Sequence, residues 1–350
     1  MEWKGRRESD NVEDREDEPD QGVPDDGGGM PGYDGGMPGD EGPPGGFRGM
    51  PGFPGMPGMP GRPIFIGGGL GTLILIVAFM FLAGNQFGFV QPPANQPGPM
   101  PGPQAPHREG PHRPAPQPPL PGAQAERNDP ERHNPAHEEL KHFVRVVLAD
   151  TEDVWDQAFR EMGKTYRKPK LVLYAKHTRA GCGFADAASG PFYCPADETI
   201  YLDLEFFAEL KNRFHAPGEF AQAYVIAHEV GHHVQKLLGT MGKVDAKKAR
   251  LNEAQANRLS VKLELQADFL AGVWANRADK MKHLIEAGDV EAAISAANAI
   301  GDDTLQKQSQ GYAVPDSFTH GTSSQRIHWF RRGLQTGDIK QGNTFGAGDL

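Results

Sequence analysis

Proline nearly stops at residue 135. Only five of the 31 prolines (169, 191, 195, 217 and 315) follow it. Upstream, residues 21–62 hold 16 Gly and 9 Pro, and residues 91–135 hold 15 Pro. Proline lacks the amide hydrogen and has a fixed φ, so tracts this dense cannot form helix interiors or central strands. The packed core therefore falls to the 215 residues 136–350, enough for one domain. The net charge of −10 is uneven: residues 1–135 carry 10 basic and 18 acidic side chains, and residues 136–350 carry 26 and 28. Neither half is a basic surface, which argues against nucleic acid as a partner. Two cysteines exclude a disulfide-dense mini-scaffold.

Residues 64–83 are 20 residues without a charge. As a helix they would rise about 30 Å, the thickness of a bilayer core. Gly67, Gly68, Gly69 and Gly71 weaken a water-soluble helix but are tolerated in a membrane. A transmembrane helix is expected over residues 63–84. Arg48 and Arg62 precede it, and the next basic residue is Arg108. The positive-inside bias then puts the N-terminus in the cytoplasm and the folded domain outside, as a single-pass inner-membrane protein. Residues 1–62 read as a cytoplasmic disordered region. Its first 26 residues hold 11 acidic and 4 basic side chains, followed by Met-Pro-Gly repeats. Residues 85–135 read as a Pro-rich spacer, in which His107, His112 and His133 are polar filler rather than metal ligands.

From Ala136 the pattern turns helical. Leu140, Phe143, Val144, Val147, Val154, Trp155 and Phe159 recur at helix spacing, with a break expected near Asp150. Residues 171–175, 190–194 and 199–204 read as strands. Further helices are expected over 220–238 (stopped by Gly239), 247–276, 290–300, and from the capping pattern at Thr322 through Arg332. The fold class is α+β, helix-dominated, with a small sheet.

The chemistry centres on His228-Glu229-Val230-Gly231-His232. On a helix, i and i+4 share a face, so two imidazoles can converge on one Zn²⁺, and Glu229 beside them can move protons as general base. Gly231 leaves room for a neighbouring helix. The third ligand is expected from Glu264 in Glu264-Leu-Gln-Ala-Asp268, on a returning helix, with Asp268 accepting a hydrogen bond from the back nitrogen of a ligand histidine. His233 lies about 100° around the helix from His232 and reads as structural. His320, in a loop before a capped helix, is a candidate oxyanion donor, as are Tyr193, Tyr201 and Tyr312; sequence does not choose among them. Cys182 and Cys194 are 12 apart, either a loop-closing disulfide outside the cytoplasm or two free thiols.

These motifs, in this order, resemble the bacterial putative neutral zinc metallopeptidase family, the YpfJ-like membrane-anchored proteins. The resemblance runs through Trp3-Lys-Gly-Arg-Arg7, Ser9-Asp-Asn-Val-Glu-Asp14, Gly190-Pro-Phe-Tyr-Cys-Pro195, Tyr201-Leu-Asp-Leu204, His228 to Gln235, Glu264 to Asp268 and Val314 to Gly321. The Met-Pro-Gly tract and the Pro-rich spacer depart from it. The resemblance implies a zincin-like domain with His228 and His232 as ligands and Glu229 as catalytic base. The expected function is a membrane-anchored zinc endopeptidase acting on peptide or protein substrates. The rivals are a non-catalytic interaction protein with a structural zinc and a zinc amidase acting on cell-wall peptides.

Overall fold

In the computed structural model, residues 1–18, 134–187 and 190–346 are described, and they belong to one unit. Residues 64–83, the Met-Pro-Gly and Pro-rich tracts and the three spacer histidines lie outside the described residues. Among the described residues, no helix is long and apolar enough to cross a membrane.

Helix α1, Pro135–Glu161, starts where the Asn134 side chain accepts a hydrogen bond from the His137 amide at 2.9 Å, with Pro135 in the first turn. The break expected near Asp150 does not occur. Asp150, Thr151 and Glu152 are buried in mid-helix because each finds a partner. Asp150 pairs with Lys282, Thr151 Oγ1 donates to the Leu148 carbonyl, and Glu152 accepts from Ser9 and Asn11.

The main sheet has strand order β1 (Val12–Asp14), β2 (Lys170–Tyr174), β6 (Thr199–Asp203), β5 (Phe192–Cys194). Strand β2 (Lys170–Tyr174) pairs in parallel with β6 (Thr199–Asp203) through Leu171↔Ile200 and Leu173↔Leu202. Both are apolar and almost wholly buried, as central parallel strands should be. Strand β5 (Phe192–Cys194) lies antiparallel on β6. A hairpin of β3 (His177–Ala180) and β4 (Gly183–Asp186) stands apart, and sequence reading missed it. Cys182 at its turn is bonded to Cys194, with Cα atoms 5.8 Å apart, so the disulfide alternative holds rather than the two free thiols.

Strand β1 (Val12–Asp14) corrects the reading of residues 1–62 as one disordered region. It pairs in parallel with β2 through Val12↔Leu171 and Asp14↔Leu173. Trp3 is buried and meets Phe143 edge-on at 5.4 Å. An acidic stretch that cannot fold alone is thus ordered by partners supplied elsewhere in the chain.

The remaining helices are α2 (Glu205–Asn212), α3 (Glu219–Leu237), α4 (Thr240–Lys248), α5 (Glu253–Lys282), α6 (Asp289–Ala299), α7 (Asp302–Gln310) and α8 (Ser323–Thr336). Gly239, at φ 76°, ends α3 as expected. The helix expected over 247–276 is two elements, because Asn252 and Gln255 form a capping box that starts α5 afresh. Gly231 lets α3 press on α5: a Cβ there would sit 3.0 Å from the Ala267 carbonyl oxygen. Gly272 and Gly333 do the same for α5 and α8, where a Cβ on either would strike the other helix's backbone. Phe220 of α3 stacks on Trp274 of α5 at 5.9 Å. These contacts put residues 228–232 face to face with residues 264–268.

Candidate metal centre

His228 and His232 stand one turn apart on α3, their ring centroids 4.9 Å from each other. Across from them, Glu264 Oε2 on α5 lies 3.2 Å from His228 Nε2 and 3.4 Å from His232 Nε2. All three side chains are buried, and one ligand atom from each lies within 4.8 Å of the others. Tetrahedral zinc with ligands at about 2.0–2.1 Å requires ligand–ligand edges of about 3.3 Å. The two histidine–glutamate separations match that edge, so this donor set fits Zn²⁺.

The ring orientations agree. His228 Nδ1 is 2.8 Å from Asp268 Oδ1, and His232 Nδ1 is 2.9 Å from Gln235 Oε1. The Gln235 amide is turned that way because its Nε2 donates to the Leu263 carbonyl at 2.7 Å. Each imidazole therefore has Nδ1 on an oxygen and Nε2 facing Glu264, the arrangement in which Nε2 is the metal-binding atom. Asp268 lies where sequence expected it. Its other partner, Arg326 on α8, was missed. The guanidinium is fully buried and grips Asp268 with Nε on Oδ2 at 2.8 Å and Nη2 on Oδ1 at 2.9 Å. The Tyr224 hydroxyl donates to Asp268 Oδ1 as well, at 2.5 Å. Burial pushes the Asp268 carboxyl up, but Arg326 and His228 outweigh it and hold it down at about 2. Burial disfavours a charged His228, yet Asp268 and Glu264 together raise it to about 9. Two carboxylates against two buried imidazoles form a site that draws positive charge.

Glu229 is buried beside the histidines and pushed above the usual carboxylate range, mainly by burial. Its Oε2 has no hydrogen-bond partner. A buried carboxylate oxygen left open is costly unless something else meets it.

His320 is buried in the loop after the short turn Pro315–Ser317. Asp302, at the start of α7, holds that loop. Its Oδ2 accepts the amides of Thr319, His320 and Gly321 at 2.8, 2.7 and 2.9 Å, and its Oδ1 lies 3.1 Å from His320 Nδ1. A Cβ on the next residue, Gly321, would sit 3.1 Å from Val261 and 3.3 Å from Leu265 of α5, so the loop lies close against that helix. The tyrosine alternatives fare differently. The Tyr193 hydroxyl is engaged with His233 Nδ1 at 3.0 Å, the Tyr201 hydroxyl donates to Asp197 at 2.8 Å, and Tyr312 is 62 % exposed. His233 is fully buried between Tyr193 and the Arg167 carbonyl, in keeping with a structural role. Gln235 could have been read from its position three residues past His232. Arg326 and Asp302 carry no local signal.

The model of the family described as "Putative neutral zinc metallopeptidase" matches residues 115–345. The Escherichia coli K12 protein called "Uncharacterized protein YpfJ" is 57% identical over 209 residues, 60% of this chain and 72% of that protein. An uncharacterized protein of Mycobacterium tuberculosis H37Rv is 39% identical over 222 residues, 61% of this chain and 74% of the relative. No solved structure matches the chain.

Proposed function

The chain belongs to the family described as "Putative neutral zinc metallopeptidase", and from that premise we propose that it is a zinc-dependent endopeptidase. In this reading His228, His232 and Glu264 hold the metal, and Glu229 is the general base. The observation that carries it is Glu229: a buried carboxylate with an unpartnered Oε2 and a raised pKa, set beside a three-ligand cluster. A site kept only for structure has no use for such a group and usually fills all four positions with protein ligands. Among the described residues, the cluster supplies three.

Zinc, when bound, supplies a Lewis acid that polarises a carbonyl and makes water more acidic. Glu229 takes the proton of the attacking water at its open oxygen and returns it to the leaving nitrogen. His320, anchored through Nδ1 by Asp302, offers its other nitrogen to the developing oxyanion. Asp268 and Gln235 keep the two ligand rings in one tautomer.

The Cys182–Cys194 disulfide supports a location outside the cytoplasm, and residues 64–83 supply a membrane tether. The test is Glu229→Gln in the full chain with a general protein substrate. Turnover should fall by about 10²–10⁴-fold while zinc per chain stays unchanged. Retained turnover would remove Glu229 from this role.

A further inference from the structure

Residues 1–18 are built into the same sheet and the same ion-pair network as the metal-site domain. The main chain joins them first. Besides the β1–β2 register, the Leu171 amide donates to the Asn11 carbonyl at 2.9 Å and the Arg15 amide to the Leu173 carbonyl at 2.8 Å. Side chains follow. Glu152, whose side chain is fully buried in α1, accepts from Ser9 Oγ at 2.5 Å, Asn11 Nδ2 at 2.7 Å and Arg7 at 3.2 Å. Lys141, also buried, pairs with Asp14 and Glu16 at 2.8 Å each. Arg7 further donates to the Ala149 carbonyl at 2.9 Å. Without residues 1–18, the inward charges of α1 would lose most of these partners, and β2 would become a bare parallel edge.

This docking conflicts with a single membrane crossing between the two parts. A helix of 20 residues rises about 30 Å and crosses a bilayer once. One crossing at residues 64–83 would leave residues 1–18 on one face and the domain on the other. Exchange with a second copy gives no way out, since every copy inserted the same way has its residues 1–18 on the far face. Two crossings would need a second long apolar run, and residues 19–133 hold none besides 64–83. Strand β1 and a single crossing exclude each other.

We propose that residues 1–18 and the metal-site domain occupy one compartment, and that this compartment lies outside the cytoplasm. The Cys182–Cys194 disulfide marks it as oxidising. The cytoplasmic N-terminus expected from Arg48 and Arg62 gives way to this placement, because a bias of two arginines is weaker than a sheet and a set of buried ion pairs. The inference stands on the docking of residues 1–18 and does not depend on what the metal site hydrolyses.

The experiment uses the full membrane-bound chain with one added cysteine, D10C or K211C, both at exposed positions. Intact bacterial spheroplasts are treated with a membrane-impermeant maleimide, before and after permeabilisation. Both variants are expected to label fully in intact spheroplasts. Labelling of K211C with D10C shielded until permeabilisation would restore the single crossing and overturn the proposal. Shielding of both would overturn the assignment to the outer compartment. Docking itself is read by the pair K4C and E139C, whose native side chains meet at 2.5 Å. A short bis-maleimide should link them within one chain, and failure to link would remove β1 from the domain. Alkaline extraction of the same membranes reads the tether separately from the sidedness.

Discussion

Two buried glutamates, Glu152 and Glu229, are treated in opposite ways. Glu152 in α1 is saturated. Ser9, Asn11, Arg7 and Lys168 all reach it, and although burial pushes its carboxyl up, Ser9, Asn11 and Lys168 hold it below the ordinary value. Glu229 in α3 is equally enclosed, but its Oε2 meets nothing and burial holds its carboxyl up. A saturated carboxylate stabilises one arrangement of the chain. An open one raises the energy of the fold and is explained by what it does for something the protein binds.

The contrast can be broken in order of size. The largest effect belongs to Arg326→Met, which leaves Asp268 charged, buried and without its bidentate partner. Stability should fall by about 3–5 kcal/mol, read by denaturant unfolding, and zinc affinity should fall by about 10–100-fold. A loss below 1 kcal/mol would mean that Asp268 is better solvated than its burial implies.

Glu152→Gln comes next, with an expected loss of about 1–3 kcal/mol. The pH dependence sharpens it. The Glu152 carboxyl is lowered in the folded state from its ordinary 4.5. Its contribution is therefore present above the unfolded value and is lost as pH falls through the lower folded value. Wild type should lose stability across that acid window, and the Gln variant should lose less. Identical acid slopes would show that Glu152 titrates no differently in the folded chain.

The smallest effect has the opposite sign. In metal-free protein, Glu229→Gln should raise stability by up to about 1 kcal/mol, since it removes a charge with an open oxygen. Thermal unfolding of the two metal-free proteins measures this. Destabilisation would mean that the hydrogen bond from the Tyr193 backbone to the Glu229 carboxyl outweighs the open Oε2, and that the contrast with Glu152 is not one of function.

The same contrast explains what could be read from sequence. His228 and His232 are legible because helix periodicity is local, and Gly231 between them signals the close approach to α5 that is found. Glu264 and Asp268 are legible because charged residues set among Leu263, Leu265, Ala267 and Phe269 stand out as candidates for burial. Arg326 is not, since it reaches Asp268 from 58 residues away on another helix. Strand β1 is hidden for a similar reason. Val-Glu-Asp has one apolar residue, two of its three side chains are exposed, and its place is set by β2 and by the polar partners on α1. The continuity of α1 through Asp150-Thr-Glu152 is hidden because the partners of Asp150 and Glu152 come from residues 6–11, Lys168 and Lys282. Local pattern reports the apolar face of an element. It is blind to buried charges whose partners arrive from far along the chain.

The central claim is that His228, His232 and Glu264 hold one zinc. The direct measurement is zinc per chain in the purified full-length protein, wild type beside Glu264→Ala, with unfolding curves to show that both are folded. One zinc per wild-type chain, lost or weakened by orders of magnitude in the variant, is the expected result. Zinc retained at full stoichiometry and affinity in folded Glu264→Ala, or absent from folded wild type after zinc is supplied, would contradict the account.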